Sequence, residues 1–241
     1  MIDLKSKKIM VVAAHPDDEL LGLGATMHHL IHDQGCTVRA VILGEGLTSR
    51  TDTRDVEKWE EELQVHRSNI EQARQAIGYE SVGVYSFADN RFDSVDLLDL
   101  VKVVEKEKED FQPEVIFTHH GGDLNIDHQK TFEAVMTATR PMEGEVVKTI
   151  IAFETPSSTE WQAFNHANSF RPNLFFEVSE NDVESKNKGM DAYEFEKRKQ
   201  PHPRSPEALR IRAQYWGNSI GAFYAEAFML IRSLQSCSRS P

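Results

Sequence analysis

Residues 7–22 read KKIMVVAAHPDDELLG, an apolar run followed directly by a histidine and three carboxylates. The apolar part, 7–14, predicts a buried β-strand. A solvent-exposed loop tolerates this much acid, but such a loop would not follow a buried strand directly. The sequence therefore concentrates negative charge at the end of a strand that lies inside the protein.

The rest of the chain alternates short apolar runs with longer amphipathic stretches. This alternation is typical of βαβ units on a parallel sheet. We therefore predict one α/β domain over residues 1–241, in which helices cover a mostly parallel sheet. The predicted strands are 7–14, 37–44, 81–87, 113–120, 146–154 and 174–179, and the predicted helices are 21–35, about 57–77, about 95–110, 127–140, 181–197 and 206–216.

The chain carries 39 acidic and 27 basic residues, a formal net charge of −12. This balance argues against binding to nucleic acid or to anionic membrane surfaces. No window approaches the roughly 20 apolar residues of a membrane span, and the N-terminal residues do not form a signal peptide. Cys36 and Cys237 form neither a disulfide framework nor a CxxC metal site. These features predict a cytoplasmic protein, and they are compatible with a homo-oligomer.

The acidic cluster follows the carboxyl end of the first strand, where open parallel sheets bind ligands. His15 and Asp18 are three residues apart at a turn that enters a helix, so both side chains can converge on one cation. An imidazole and a carboxylate suit zinc or another first-row divalent metal. A catalytic zinc takes a third protein ligand, and THHGGDLNIDHQ (118–129), after the fourth strand, is the best source. Within it, we predict that His128 is that ligand.

Two carboxylates of the first cluster remain after Asp18 is assigned to the metal. Asp17 is adjacent to the ligand and is the candidate general base for the water that a catalytic metal activates. Glu19 opens a helix, where the dipole favours a negative side chain, so a structural role competes with a supporting role in the site. The same ligand set, two histidines and a carboxylate, also occurs in non-haem iron oxygenases. The spare carboxylate beside the metal favours hydrolysis.

GLGA (22–25) is only a weak match to the glycine-rich dinucleotide fingerprint. That fingerprint brings bare backbone N–H groups to a pyrophosphate, whereas three carboxylates at this turn would repel one. We expect Gly22 and Gly24 instead to let the helix pack closely on the sheet.

AHPDDELLGLGA (14–25) resembles the signature of the LmbE-like, or PIG-L, family of metal-dependent N-deacetylases, and DLNIDHQ (123–129) resembles its second motif. The resemblance implies a Rossmann-like, three-layer α/β/α fold and removal of an acyl group, usually acetyl, from the nitrogen of an amino sugar. It also implies that His15, Asp18 and His128 bind the metal and that Asp17 is the base. The implied metal is zinc, with iron(II) as the alternative.

One position departs from the family pattern. Many members carry a histidine three residues before the last ligand, where it polarises the carbonyl or protonates the leaving amine, and this chain has Asn125 there. Asn125 can donate a hydrogen bond to an oxyanion but cannot act as the acid. His120 and His202 are the candidate replacements, and the alternative is that Asp17 serves first as base and then as acid.

Other polar and aromatic residues in loops are candidates for substrate binding. Arg54, Arg91 and Arg204 could recognise sugar hydroxyls or a phosphate, and Trp161 and Tyr193 could stack on a sugar ring. Together with the two motifs, these residues predict a zinc-dependent N-deacetylase that acts on a glucosamine-type sugar or conjugate. An iron(II) oxygenase and a non-catalytic sugar-binding module are the alternative hypotheses.

Overall fold

The computed structural model describes residues 2–163 and 166–235. Seven strands and seven α-helices form in this part of the chain. The strands are β1 (Lys8–Ala13), β2 (Thr37–Gly44), β3 (Ser81–Phe87), β4 (Val115–His119), β5 (Thr149–Phe153), β6 (Leu174–Glu177) and β7 (Ala225–Ser233). The helices are α1 (Asp18–Leu21), α2 (Gly24–His32), α3 (Glu60–Ile77), α4 (Leu97–Phe111), α5 (Ile126–Ala138), α6 (Glu180–Ala192) and α7 (Pro206–Ile220).

The seven strands form one sheet in the order β3-β2-β1-β4-β5-β7-β6. Strands β1 to β5 are parallel, whereas β7 runs antiparallel to β5 and β6. The strand order reverses between β1 and β4, the position at which open α/β sheets bind ligands. The predicted Rossmann-like, three-layer α/β/α fold with a mostly parallel sheet is therefore confirmed.

Helices cover both faces of the sheet, which explains why β1 is an unbroken apolar run rather than an alternating one. Ile9 and Val11 of β1 belong to a buried cluster that includes residues of α2, α3 and α6. Met10 and Val12 belong to a second cluster that includes residues of α4 and α5. Both faces of β1 are therefore buried, and the polar residues 15–19 follow directly after its carboxyl end.

The helix predicted for 21–35 is instead two helices, α1 and α2, which are separated at Gly22. A Cβ atom at Gly22 would lie 2.0 Å from the carbonyl oxygen of Glu154, just after β5. Only glycine allows the backbone to approach the sheet so closely. Gly24 faces the side chain of Lys186 in α6, so the close packing on the sheet that we predicted for both glycines occurs at Gly22.

Three further differences lie in the C-terminal half. The sequence analysis did not predict β7, although residues 227–231 of this strand form a short apolar run. The helix predicted for 181–197 ends at Ala192, and the helix predicted for 206–216 continues to Ile220 before Gly221 ends it. All other predicted bounds agree within three residues at each end.

Over residues 2–163 and 166–235, no helix has both the length and the apolar character that crossing a membrane requires. Cys36 is buried with a free thiol, and Cys237 lies outside the described residues. The cytoplasmic location stays a prediction.

Candidate metal centre and active site

The loops that follow β1 and β4 lie side by side because these two strands are hydrogen-bonded neighbours. His15 and Asp18 come from the first loop and the start of α1, and His128 comes from the first turn of α5. Asp18 Oδ2 lies 3.2 Å from His15 Nδ1 and 3.3 Å from His128 Nε2. One ligand atom of each residue lies within 4.8 Å of the other two. The structure thus brings the three predicted metal ligands together.

Two further carboxylates orient the histidines of this group. Asp127 Oδ2 lies 2.9 Å from His15 Nε2, and Asp123 Oδ1 lies 3.0 Å from His128 Nδ1. Because a carboxylate accepts a hydrogen bond, each contact fixes the proton on the ring nitrogen that faces away from Asp18. Carboxylates of this kind orient metal-bound histidines and raise their basicity. The lone pairs of both imidazoles are therefore directed towards Asp18.

Buried polar atoms without a partner test whether these residues fit a metal ion. Asp18 Oδ1 and His128 Nε2 are buried and make no hydrogen bond, although such atoms are normally paired. The carboxylates of Asp18 and Asp123 outweigh the opposing effect of burial and raise the pKa of His128 to about 9. The site therefore attracts positive charge, and its nitrogen and oxygen ligands fit a divalent cation such as zinc or iron(II).

Asp17, the predicted base, is next to this group and 1% exposed. Its backbone has φ 101°, in the left-handed region that L-residues rarely adopt. Arg204 Nη1 donates to Asp17 Oδ2 over 2.7 Å, and Arg204 Nε donates to Ser157 Oγ over 2.7 Å. Burial raises the pKa of Asp17 well above its usual range, against the opposing effect of Arg204. The carboxylate is thus held in a fixed position by a buried ion pair.

A cavity of about 290 Å³ opens beside Asp17. In the described part of the chain, four of the six non-glycine residues with positive φ line it, namely Asp17, Leu47, Asn90 and Ser157. Left-handed backbone costs an L-residue about 1–2 kcal/mol. Strained residues cluster at functional sites, so their concentration here marks this cavity as the candidate active site.

Three other predicted site residues line the same cavity. Asn125 does so as the N-cap of α5, but its Oδ1 accepts from Asp127 N and its Nδ2 donates to Asn90 Oδ1. His202 and Arg204 reach the cavity from the loop before α7, and His202 Nδ1 accepts from the backbone N–H of Arg204. Burial and the charge of Arg204 lower the pKa of His202. His202 therefore presents a neutral imidazole at neutral pH.

Three more predicted site residues lie outside the cavity. His120 Nε2 lies 2.8 Å from the carbonyl oxygen of Asn168, outside the cavity. Arg54 forms a two-point ion pair with Glu45, also outside it. Arg91 is exposed and does not line the cavity. Loop position alone was a poor guide because nothing in the sequence indicates which way a loop side chain points.

Of the two aromatic candidates for substrate binding, one lines the cavity and the other does not. Trp161 lines the cavity and packs edge-on against His202, with ring centroids 5.8 Å apart. Tyr193 is fully buried and donates a hydrogen bond to Glu19 Oε1. Stacking on a sugar ring is therefore available to Trp161 only.

The sequence reasoning assigned no role to two histidines near the site. His119 stacks on His128 with ring centroids 3.9 Å apart, and its Nε2 accepts from the backbone N–H of Ala14. His66 also lines the cavity. Its exposed fraction is 2%, and its Nδ1 makes no hydrogen bond. Burial, with a smaller effect of Arg50, lowers the pKa of His66 to about 4. The helical spacing of His66 with the apolar residues of α3 was the signal that could have placed it on the buried face.

Comparisons by sequence identify relatives of this chain. The family profile described as PIG-L, GlcNAc-PI de-N-acetylase, matches residues 10–139. "Uncharacterized deacetylase YaiS" of Escherichia coli (strain K12) is 29% identical over 181 residues, which is 73% of this chain and 84% of that protein.

Two solved structures share the fold. The conserved protein TT1542 of Thermus thermophilus superposes with a TM-score of 0.72 at 22% identity, covering 98% of this chain and 99% of that one. The N,N'-diacetylchitobiose deacetylase of Pyrococcus horikoshii superposes with a TM-score of 0.69 at 16% identity, covering 94% and 84%. The family profile spans more than half of the chain, so the resemblance seen in the two motifs is confirmed. The chain therefore belongs to the PIG-L (GlcNAc-PI de-N-acetylase) family and is a hydrolase of the class that cleaves amide bonds.

Proposed function

We propose that the chain is a zinc-dependent N-deacetylase of a glucosamine-type sugar or sugar conjugate. The observation that carries the proposal is the group of His15, Asp18 and His128, two of whose buried polar atoms lack partners, beside Asp17, which has a strained backbone and lines a cavity. The deacetylase relatives support an N-acetyl group as the bond that is cleaved.

His15, Asp18 and His128 would hold the zinc ion. When bound, a zinc ion polarises the amide carbonyl and lowers the pKa of a water molecule at its open position. Arg204 pairs with Oδ2 of Asp17, and in the described part of the chain no hydrogen bond engages Oδ1. Asp17 thus keeps one carboxylate oxygen to take the proton of the attacking water and to deliver it to the departing amine nitrogen.

His202 is the candidate to bind the acyl oxygen or the amine. It lines the cavity as a neutral imidazole whose Nδ1 accepts from the backbone N–H of Arg204, so its Nε2–H is left to donate a hydrogen bond to the substrate. The amide of Asn125 is engaged at both ends, which makes it a weaker candidate, and His120 faces Asn168 instead. We therefore favour Asp17 as both base and acid.

The test is acetate release from a panel of N-acetylated sugars and sugar conjugates, with zinc content measured in the same samples. Asp17→Asn should keep the metal while acetate release falls at least about 100-fold, because general acid–base catalysis contributes about 10²–10⁴-fold. Asp99→Asn, at an exposed position of α4, is the matched control and should retain full activity. Full turnover by Asp17→Asn, or loss of its metal, would refute the role of Asp17.

The same panel separates the two alternative hypotheses. An iron(II) oxygenase would consume oxygen and be inactive with zinc, and a non-catalytic sugar-binding module would bind a sugar without releasing acetate under any metal. We propose hydrolysis rather than oxygenation or simple binding because Asp17 lies beside the three candidate ligands and is not one of them. Its carboxylate is therefore available as a base.

A further inference from the structure

Glu19, the third carboxylate of the AHPDDELLG motif, takes no part in the group that could hold a metal. It is 2% exposed and does not line the cavity. We infer that Glu19 is a positioning residue, which holds the left-handed backbone of Asp17 and so aims the Asp17 carboxylate at the substrate. This inference rests on the proposed role of Asp17 as the base.

The first support is the contact between the two residues. Glu19 Oε2 accepts a hydrogen bond from the backbone N–H of Asp17 over 2.9 Å. At φ 101° the Asp17 backbone is in a conformation that an L-residue does not hold without help from its surroundings. The direction in which the Asp17 side chain leaves the backbone is set by this conformation, so the bond to Glu19 acts on the carboxylate of Asp17.

The second support is that Glu19 is itself fixed at two further points. The hydroxyl of Tyr193 donates to Glu19 Oε1, and the hydroxyl of Tyr79 donates to the main-chain oxygen of Glu19 over 2.7 Å. Tyr193 and Tyr79 are 0% and 1% exposed. Each carboxylate oxygen of Glu19 thus has one donor, which is what a buried carboxylate requires.

The same arrangement recurs at two other strained residues that line the cavity. The backbone N–H of Asn90 donates to Asp127 Oδ2 over 2.7 Å. The backbone N–H of Ser157 donates to both carboxylate oxygens of Glu160, over 2.9 and 3.0 Å. Both residues have positive φ. Three of the four strained residues that line this cavity thus donate their backbone N–H to a carboxylate, and for Asp17 that carboxylate is Glu19.

A helix-dipole role explains Glu19 less well. Helix α1 has only four residues, so few peptide dipoles add up along its axis. The carboxylate of Glu19 is also directed to one N–H group and one hydroxyl, rather than to the free N–H groups of the first helical turn.

The experiment compares two tyrosine variants that each remove one hydroxyl bound to Glu19. Tyr193→Phe removes the hydrogen bond to Oε1 of Glu19, so that only the bond to the Asp17 N–H holds the carboxylate. We expect kcat to fall about 10-fold with unchanged zinc content. Tyr79→Phe removes the bond to the main-chain oxygen and leaves the carboxylate contacts intact, so kcat should stay within about twofold. These sizes follow from the roughly 100-fold loss that a misplacement of about 1 Å produces in a catalytic site. Equal effects of the two variants on kcat would overturn the inference.

Substitutions of Glu19 separate geometry from charge. Glu19→Gln keeps an oxygen for the N–H of Asp17, and its amide can donate to the Tyr193 hydroxyl, so activity should stay within about threefold. Glu19→Leu keeps neither contact, and kcat should fall about 100-fold while KM stays similar. If Glu19→Gln is as inactive as Glu19→Leu, the charge of Glu19 matters rather than its position, and the inference fails.

Hydrogen exchange of the Asp17 amide gives a readout that does not depend on turnover. Exchange should be faster in Tyr193→Phe than in the wild type and unchanged in Tyr79→Phe. If the wild type binds zinc but releases no acetate from any sugar, the proposed function fails. Faster exchange of the Asp17 amide in Tyr193→Phe would still support the inference that Glu19 fixes the backbone of Asp17. Unchanged exchange of the Asp17 amide in Tyr193→Phe would refute the inference about Glu19, even if the protein is an active deacetylase.

Discussion

Asp123 is the most direct test of how the candidate metal centre is built. Its side chain is fully buried, and Oδ1 lies 3.0 Å from Nδ1 of His128. Ser158 and Thr159 also donate their hydroxyls to this carboxylate. Asp123→Asn keeps the shape but removes the charge that makes Nε2 of His128 a stronger ligand. Losing such a carboxylate weakens metal affinity about 10- to 100-fold, which corresponds to about 1.4–2.7 kcal/mol.

Zinc affinity is measured by competition with a chelator of known affinity, for the wild type, Asp123→Asn and a matched control. The control is Glu107→Gln, because Glu107 is also a buried, paired carboxylate, with Oε2 2.6 Å from Arg39 Nε, and it belongs to none of the groups in the described part of the chain that could hold a metal. It should keep the wild-type affinity of the centre. Wild-type affinity in Asp123→Asn would mean that His128 is not a ligand or that its partner does not tune it.

The remaining predictions concern stability. Gly22→Ala should destabilise the fold by more than about 3 kcal/mol in urea unfolding, because a Cβ atom 2.0 Å from the Glu154 carbonyl oxygen exceeds ordinary overpacking; a smaller loss would mean that the two backbones separate easily. The pKa of His66 falls to about 4 on folding, so its contribution is present above pH 6.5 and is lost as the pH falls towards 4. The loss is about 2.5 kcal/mol by pH 4.5, and His66→Gln should show a correspondingly smaller drop in unfolding free energy between pH 7 and 4.5. Arg204→Met leaves the carboxylate of Asp17 buried without a cation, and should cost about 3–5 kcal/mol and most of the activity while the zinc content stays; unchanged stability would show that the ion pair contributes little.

Much of the fold and the convergence of the candidate metal ligands could be predicted because their signals are local in sequence. Strands β2 and β3 begin and end at the predicted residues, since each is a short run rich in strand-favouring residues between polar turns. His15 and Asp18 share one turn, and His128 follows a strand that the common doubly wound order places beside the first. Their convergence follows from strand order, which the pattern of βαβ units already indicates.

Residues whose roles depend on long-range contacts could not be predicted in this way. Arg204 reaches Asp17 across 187 positions of the chain, and Arg54, which looked equivalent in the sequence, pairs with Glu45 nine residues away. Both are loop arginines beside polar residues, so composition does not distinguish them. The difference arises because the loop before α7 crosses the carboxyl edge of the sheet, whereas Arg54 does not reach the cavity.

The strained backbone positions that line the cavity could not be predicted from the sequence either, for a different reason. Positive φ is predicted from glycine, yet the strained positions beside the candidate centre include Asp17, Asn90 and Ser157. The backbone N–H of each donates to a carboxylate, and for Asp17 that carboxylate is Glu19. In the sequence, nothing distinguishes these carboxylates from other acidic side chains. We therefore propose three tasks for the acidic cluster after β1: one carboxylate binds the cation, one handles a proton, and one fixes the backbone that aims the second. The first task follows from a spacing rule and the second was inferred from adjacency to the first ligand, whereas the third becomes visible only when the hydrogen bonds of the folded chain are known.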